Sequence, residues 1–157
     1  MVYGGGRVGL MGTIADAART AGGEVFGDMP QVLVDGELAH PGLTRLEVVP
    51  DMHARKRRMP ELADGCVGLP DGAGALDELC GVGTWRQPGN HAKPVAFLDV
   101  DGFWQPLRSM LDRRHGQGVQ DLQFRDSPVV ASEPQALLDA LSVRQAPAAE
   151  SSTGSKN

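Results

Sequence analysis

Short apolar runs alternate with stretches of helical periodicity along nearly the whole chain, and this alternation limits the possible folds more than any other feature. Six runs are predicted to be strands, at residues 1–3, 24–29, 46–49, 66–69, 94–100 and 129–131. Strands that alternate with crossover helices form a mostly parallel sheet with helices on both faces. We therefore predict an α/β fold, a Rossmann-like doubly wound parallel sheet in three layers.

The helical stretches complete this pattern. Apolar residues at helical spacing predict helices at about residues 10–18, 52–62, 76–85, 103–115 and 133–141, with a short helical turn after Pro30. Gly81 and Gly83 lie inside the third of these helices, where each glycine costs about 0.5–1 kcal/mol relative to alanine. The last residues are rich in Ala, Ser, Pro and Gly. We predict one α/β domain over residues 1–142 and a disordered tail over residues 143–157.

The composition is that of a globular protein and argues against several classes of partner. Hydrophobic residues make up 41% of the 157 residues, and the formal net charge is −5. An acidic chain has no electrostatic reason to bind nucleic acid, and no apolar run approaches the ~20 residues that a membrane span needs. No signal peptide is visible at the N-terminus. We expect a cytoplasmic protein that binds neither nucleic acid nor membranes.

The chain has two cysteines, Cys66 and Cys80, and neither has the spacing of a metal ligand. We expect both to be buried free thiols in a reducing compartment. No other spacing of His, Cys and carboxylate residues fits a metal site, so neither a metal nor a cofactor is expected.

Two glycine-rich loops lie where a parallel sheet binds its ligands, between the carboxyl end of a strand and the start of a helix. The first spans residues 4–12 and the second residues 70–75. Glycine lets the backbone approach an anion closely, and the following helix offers unpaired N–H groups and the positive end of its dipole. A basic run at residues 55–58 would also suit a small anion. Both loops are therefore candidate phosphate sites.

The first loop also contains the pattern G-x-G-x-x-G, at Gly4, Gly6 and Gly9, and Asp28 follows near the end of the next predicted strand. Dinucleotide-binding folds have such a loop, with an acid at this distance that binds a ribose. A purely structural tight turn explains the glycines equally well, and the strand before the loop is very short. A dinucleotide-binding module is one alternative.

Six segments in order are more specific than either loop alone. They are residues 3–12 (YGGGRVGLMG), 51–56 (DMHARK) followed by Met59, 70–78 (PDGAGALDE), 84–85 (TW), 91–94 (HAKP) and 101–107 (DGFWQPL). In sequence and order these segments resemble the LONELY GUY family, over residues 2 to about 141. The resemblance implies a Rossmann-like fold, a homodimer with a site at the dimer interface, and a cytokinin riboside 5′-monophosphate phosphoribohydrolase, which releases free base and ribose 5-phosphate. Some members carry the label lysine decarboxylase, but this sequence has no pyridoxal-phosphate lysine motif.

The resemblance also implies which residues act. Arg55 and Glu78 match the catalytic arginine and carboxylate of the family. Cleavage of a ribosyl C–N bond passes through a cation-like sugar that a carboxylate stabilises, and an arginine offers forked donors to phosphate or to the departing base. Without the resemblance, Glu78 would be read as a solvated carboxylate near a helix start. The implied substrate-binding residues are Gly4, Gly5, Gly6, Met11, Glu37, Lys56, Gly72, Ala73, Gly74, Ala75, Leu76, Asp77 and Thr84.

The sequence also departs from the family pattern. It begins at the end of the family's second strand, so we expect the family's first strand and its helix to be missing. Asp71 and Ala75 replace a glycine and a threonine of the phosphate loop, Gly81 replaces a helix glutamate, and Asp28 interrupts a normally apolar strand. A carboxylate repels a phosphate, and a lost hydroxyl removes a donor. A catalytically impaired relative, which binds nucleotide or pairs with a paralogue, is therefore the main alternative.

Overall fold

The computed structural model describes residues 1–36, 38–85, 93–118 and 128–145. The chain divides into two compact units, Met1–Asp64 and Gly65–Asn157. Each unit contains a three-stranded sheet, and all the strand pairs in both sheets are parallel. The structure confirms the predicted α/β class and its Rossmann-like alternation of strands and helices.

The first unit has three strands, each followed by a helix. In chain order its elements are β1 (Val2–Tyr3), α1 (Gly9–Thr20), β2 (Phe26–Pro30), α2 (Gln31–Asp35), β3 (Arg45–Val49) and α3 (Met52–Leu62). The sheet order is β1-β2-β3, with Val2 beside Phe26 and Phe26 beside Arg45. The carboxyl ends of these parallel strands therefore lie along one edge, where the first glycine loop begins.

The two faces of this sheet differ in polarity. Tyr3, Ala15 of α1 and Val25 form a buried apolar cluster. Asp28 and Glu47 are neighbours on adjacent strands. Asp28 lies two residues after Phe26 on β2, and Glu47 lies two residues after Arg45 on β3. Because alternate residues of a strand point to the same face, all four share one face of the sheet. Helix α3 contacts all three strands, and this polar face lies against the end of α3 at Leu62.

The second unit repeats the strand–helix alternation. Its elements are β4 (Cys66–Gly68), α4 (Ala73–Trp85), β5 (Val95–Leu98), a 3-10 turn (Val100–Gly102), α5 (Gln105–Gly116), β6 (Val129–Ala131) and α6 (Pro134–Gln145). The central strand β5 is buried on both faces. Val95 and Phe97 pack with Leu79 and Trp104, whereas Ala96 packs with residues of α6.

Several element boundaries differ from the predicted ones. The predicted strand 94–100 ends at Leu98, because the Asp99 carboxylate accepts hydrogen bonds from the Trp104 N–H (2.7 Å) and from the Gln105 side chain. These bonds turn the chain, and Asp101 adopts a left-handed φ of 50°. Helix α6 runs to Gln145, three residues into the predicted tail, and residues 146–157 lie outside the described part of the chain.

The strands form two ladders, whereas the sequence predicted one sheet. The orders are β1-β2-β3 and β4-β5-β6.

Among the described residues, no helix is both long enough and apolar enough to cross a membrane.

Candidate functional site

The first glycine loop is held in place by backbone hydrogen bonds to residues 38–40. The His40 N–H donates to the Gly5 carbonyl (2.9 Å), and the Arg7 N–H donates to the Leu38 carbonyl (3.0 Å). The Tyr3 hydroxyl donates to the Gly6 carbonyl (3.0 Å). Gly5 has a φ of 78°, which favours glycine. The loop is therefore a fixed structure at the carboxyl edge of the first sheet.

Helix α1 follows this loop without a side-chain cap. Its N-cap residue is Val8, whose side chain has no hydrogen-bond acceptor. Helices usually satisfy their first N–H groups with a Ser, Thr, Asp or Asn side chain. The backbone N–H groups in the first turn of α1 can therefore donate hydrogen bonds to an anion that lies next to the glycine loop.

Arg55 lies against Gly4. A Cβ atom on Gly4 would collide with the Arg55 guanidinium, and it would lie 2.9 Å from Cζ. Glycine at this position therefore makes room for the arginine. Met11 packs against Gly6 in the same way, with its methyl carbon 2.9 Å from the position of a Cβ on that glycine.

Helix α3 positions Arg55 and Lys56. Its first turn is capped by Asp51, whose carboxylate accepts a hydrogen bond from the Ala54 N–H (2.8 Å). This backbone hydrogen bond is the main reason why the pKa of Asp51 is lowered. Arg55 and Lys56 follow in the next turn and are half-buried. In the first unit, four of the predicted residues are therefore in contact as two pairs, Gly4 with Arg55 and Gly6 with Met11. Glu37 lies outside the described residues.

The second glycine loop, between β4 and α4, is open to solvent. Gly72 and Gly74 are exposed, and a Cβ on either one would meet no atom within 4 Å. Ala73 begins α4 and is also exposed. The Asp71 carboxylate accepts a hydrogen bond from the Gly72 N–H (2.7 Å). One backbone donor of the predicted phosphate loop is therefore already engaged by an acidic side chain.

The first turns of α4 place Glu78 on the inner side of the helix. Leu79 is buried in the core of the second unit, Ala75 packs against that core, and Glu78 is half-buried. Glycine at position 68 of β4 lets Leu79 pack this closely against the strand, because a Cβ on Gly68 would lie 2.7 Å from Leu79 Cδ1. Leu76 and Asp77 lie on the exposed side. The side chain of Thr84 lies outside the described part of the structure.

The two cysteines are free thiols in different environments. Burial, and then the negative charge of Glu78, raises the pKa of the Cys66 thiol to about 11. This thiol is protonated at neutral pH and cannot act as a nucleophile. Cys80 is exposed, so the prediction that both thiols are buried was wrong for Cys80.

The position of Asp28 does not fit the dinucleotide-binding alternative. The residue is the third of the five residues of β2, and it is 1% exposed. A ribose-binding acid belongs at the carboxyl end of its strand, in reach of the glycine loop. The sequence showed that Asp28 interrupts an apolar strand, but it could not show that the carboxyl group is buried.

Within the described residues, no three His, Cys, Asp or Glu side chains come together as a metal site requires. In the first unit the site residues therefore offer backbone N–H donors, a guanidinium group and an ammonium group. In the second unit they offer backbone N–H donors and a half-buried carboxylate. Guanidinium and backbone N–H groups suit phosphate, and a carboxylate suits a developing positive charge.

Comparison with known proteins agrees with this donor set. Residues 11–141 match a protein family described as "Possible lysine decarboxylase". The chain is 40% identical over 142 residues to the cytokinin riboside 5′-monophosphate phosphoribohydrolase of Rhodococcoides fascians, an alignment that covers 90% of this chain and 72% of that protein.

Two plant relatives give similar values. The probable cytokinin riboside 5′-monophosphate phosphoribohydrolase LOGL2 of Oryza sativa subsp. japonica is 39% identical over 90% of this chain. The cytokinin riboside 5′-monophosphate phosphoribohydrolase LOG3 of Arabidopsis thaliana is 39% identical over 87% of it. The chain spans 58% and 62% of the lengths of these two relatives.

Proposed function

This chain belongs to the LONELY GUY family, and on that premise we propose that it hydrolyses the N-glycosidic bond of a cytokinin riboside 5′-monophosphate or of AMP. The products are the free base and ribose 5-phosphate. The observation that carries this proposal is the placement of Arg55 against Gly4, because it sets a fixed cation beside a glycine loop and an uncapped helix N-terminus. The relatives are named for this hydrolysis, and none of those compared is named a decarboxylase.

The proposed reaction breaks the bond between C1′ of the ribose and the ring nitrogen of the base. A water oxygen bonds to C1′, and the nitrogen of the departing base takes up a proton. Glu78 stabilises the positive charge that develops on the sugar and orients or deprotonates the water. Its half-buried position on α4 favours this role, because a carboxylate acts more strongly on a nearby charge where solvent is partly excluded.

Each glycine loop, taken within its own unit, is a candidate for binding the phosphate, and Arg55 lies beside the first of them. The guanidinium offers planar, paired N–H donors to phosphate oxygens or to the base, and Lys56 adds a second positive charge on the same helix. Gly72 and Gly74 leave the backbone of the second loop open to an anion. These contacts would make the 5′-phosphate a requirement for turnover.

A second candidate function rests on Asp71. Its carboxylate accepts the Gly72 N–H at 2.7 Å, so a phosphate at this loop must displace it and meet its charge. This contact favours a relative that binds nucleotide weakly and turns it over slowly, or that pairs with an intact paralogue.

Product analysis tests the proposal. The protein is incubated with N6-isopentenyladenosine 5′-monophosphate, and free base and ribose 5-phosphate are measured by chromatography with mass spectrometry. The matched control is the riboside without its phosphate. We expect equal amounts of base and ribose 5-phosphate from the monophosphate and little base from the riboside. Binding of the monophosphate without base release would favour the impaired relative, and release of base from both substrates at equal rates would contradict a phosphoribohydrolase.

We also propose that the chain forms a homodimer, as the family resemblance implies. Light scattering at micromolar concentration should give a mass near twice the 16.6 kDa of the chain. A stable monomer with full activity would contradict this proposal.

A further inference from the structure

Asp28 lies beside the start of the glycine loop that Arg55 contacts. The parallel register of β1 and β2 sets Tyr3 beside Gly27, so the next residue of each segment, Gly4 and Asp28, are neighbours on one face of the sheet. A Cβ on Gly4 would collide with the Arg55 guanidinium. The guanidinium therefore occupies the space beside Asp28 that a side chain at position 4 would fill.

Helix α3 places two arginines over this face of the sheet. Arg55 and Arg58 are three residues apart and therefore lie on the same side of the helix. Arg58 donates two hydrogen bonds to Glu47 of β3 (2.9 and 3.2 Å), and Glu47 is the neighbour of Asp28 in the register of β2 and β3. Asp28 therefore lies between Glu47, which Arg58 contacts, and Gly4, which Arg55 contacts.

Asp28 and Arg55 act on each other through their charges. Asp28 is 1% exposed, and neither of its carboxylate oxygens accepts a hydrogen bond from any residue that the structure describes. The positive charge of Arg55 favours the ionised form of Asp28. Because the interaction is mutual, an ionised Asp28 offsets part of the positive charge that Arg55 presents to an anion, and the effect is stronger where solvent is excluded.

We propose that Asp28 is a positioning residue of the nucleotide site: it touches no substrate and sets, by holding or releasing a proton, how strongly Arg55 attracts the anionic substrate. This role rests on the proposed function, because it requires Arg55 to bind the nucleotide. With Asp28 protonated, Arg55 presents its full charge to the substrate. With Asp28 ionised, the carboxylate competes with the substrate phosphate for the field of the guanidinium.

The groups around Asp28 determine where it titrates. Burial raises its pKa most, and the charge of Glu47 raises it further. The charges that lower it are those of Arg58, Arg45 and Arg55. Helix α2 also packs on β2, and its titratable residue, Asp35, is exposed. The pKa of Asp28 is raised on balance, so the carboxyl group loses its proton above the ordinary aspartate range.

Carbon-13 NMR of the Asp28 carboxyl group measures its interaction with Arg55 without any nucleotide. The signal is assigned by its loss in Asp28→Asn. Arg55→Met keeps an unbranched stem and removes the charge, so it should raise the pKa of Asp28. Arg57→Met, on the exposed side of the same helix, is the matched control and should leave that pKa unchanged.

Calorimetric titration with AMP measures the consequence for the site. Above the pKa of Asp28, Asp28→Asn should bind AMP about threefold or more tightly than the wild type, and about one pH unit or more below it the two should bind nearly alike. The titration of the AMP phosphate is common to both proteins at each pH, so it cancels. Asp64→Asn, which changes an exposed aspartate of the same unit, should match the wild type throughout.

Reciprocity provides a third readout, because AMP and a proton on Asp28 must favour each other by the same factor. AMP should therefore raise the pKa of Asp28 in the wild type. An affinity ratio that does not change with pH, or an Asp28 pKa that Arg55→Met leaves unchanged, would overturn the proposal. Neither readout uses turnover. Loss of base release alone would contradict the proposed hydrolysis and leave the role of Asp28 standing, whereas base release without these pH effects would do the reverse.

Discussion

At the scale of single residues, Asp71 occupies a donor that the proposed substrate needs. Its carboxylate accepts the Gly72 N–H (2.7 Å), so it competes with a phosphate for that donor and also repels it. Like charges ~4 Å apart cost on the order of 1 to 4 kcal/mol between water-like and surface-like dielectrics. We expect Asp71→Gly to tighten AMP binding about tenfold or more in a calorimetric titration.

Asp71→Asn separates the two effects, because an amide keeps an acceptor for the Gly72 N–H and loses the charge. A gain close to that of the glycine variant assigns the effect to repulsion, whereas a small gain assigns it to competition for the donor. Ala75→Thr can be added to restore a hydroxyl. The idea fails if AMP binds no better to Asp71→Gly, since Asp71 would then not face the phosphate.

Asp28 makes the stability of the protein depend on pH in a distinctive direction. Its pKa is raised, chiefly by burial, so the folded state holds a proton that the unfolded chain releases from about pH 3.8 upward. The free energy of unfolding should therefore fall as pH rises from the ordinary aspartate range through the raised pKa, and then stay level. Asp28→Asn should lack this fall.

Urea unfolding of the wild type and of Asp28→Asn between pH 4 and pH 8 measures the difference. The carboxylates far from Asp28 are common to both proteins, so they cancel. Glu47 interacts with Asp28, but its pKa is lowered, chiefly by its hydrogen bond with Arg58, which keeps most of its titration at the acid end of this range. The variant should gain stability relative to the wild type as pH rises. A constant difference across this range would show that Asp28 titrates alike in both states.

A residue's role can be read from the sequence most directly where that role is local. Asp51 stands immediately before α3 and caps it, with its carboxylate accepting a hydrogen bond from the Ala54 N–H. The environment of Asp28 is set by Glu47 and Arg58, which are distant in sequence, so no local pattern could indicate it. His40 is similar, because its Nδ1 accepts the Gly42 N–H and its Nε2 therefore donates to Asp16 (3.1 Å), a contact across 24 residues.

At the scale of elements, helices were predicted best where their ends carry signals. Helix α3 spans Met52–Leu62, the predicted residues 52–62. Helix α4 begins at Ala73, three residues before the predicted start. Gly74 in its first turn lowers the helix propensity, but packing of Ala75 and Leu79 on the core outweighs that cost.

Gly81 is a weak point in α4 that can be repaired. A Cβ at this position would meet no atom within 4 Å, and the backbone is helical. Gly81→Ala should therefore raise the free energy of unfolding by about 0.5–1 kcal/mol, because alanine loses less conformational freedom in a helix. Urea unfolding provides the measurement.

Gly5→Ala is the matched comparison, because Gly5 has a φ of 78° and lies 3.2 Å, measured from its Cβ position, from Leu46 Cδ1. That variant should lose stability. If Gly81→Ala also lost stability, the helix would have to be more constrained at this position than its open surroundings indicate.

At the scale of the whole molecule, the sequence predicted the class of fold but not the pairing of its strands. Alternating strands and helices require parallel pairs, and the strand pairs of the two described sheets are parallel. Which strands pair depends on contacts far apart in sequence, and the strands form two ladders of three. The single domain over residues 1–142 remains a prediction. The roles of Arg55 and Glu78 came from the resemblance to a family, and the structure adds the contact of Arg55 with Gly4.

We propose that the chain is a phosphoribohydrolase in which Glu78 stabilises the cation-like sugar. The most direct test is the rate of free-base release from a cytokinin riboside 5′-monophosphate by the wild type, Glu78→Gln and Glu133→Gln. Glu133 is the matched control, since it is an exposed glutamate of the same unit that the proposed site does not use. We predict a loss of about 10²-fold or more for Glu78→Gln with the fold unchanged, and near wild-type rates for Glu133→Gln. Base release by Glu78→Gln at the wild-type rate would contradict a catalytic role for Glu78.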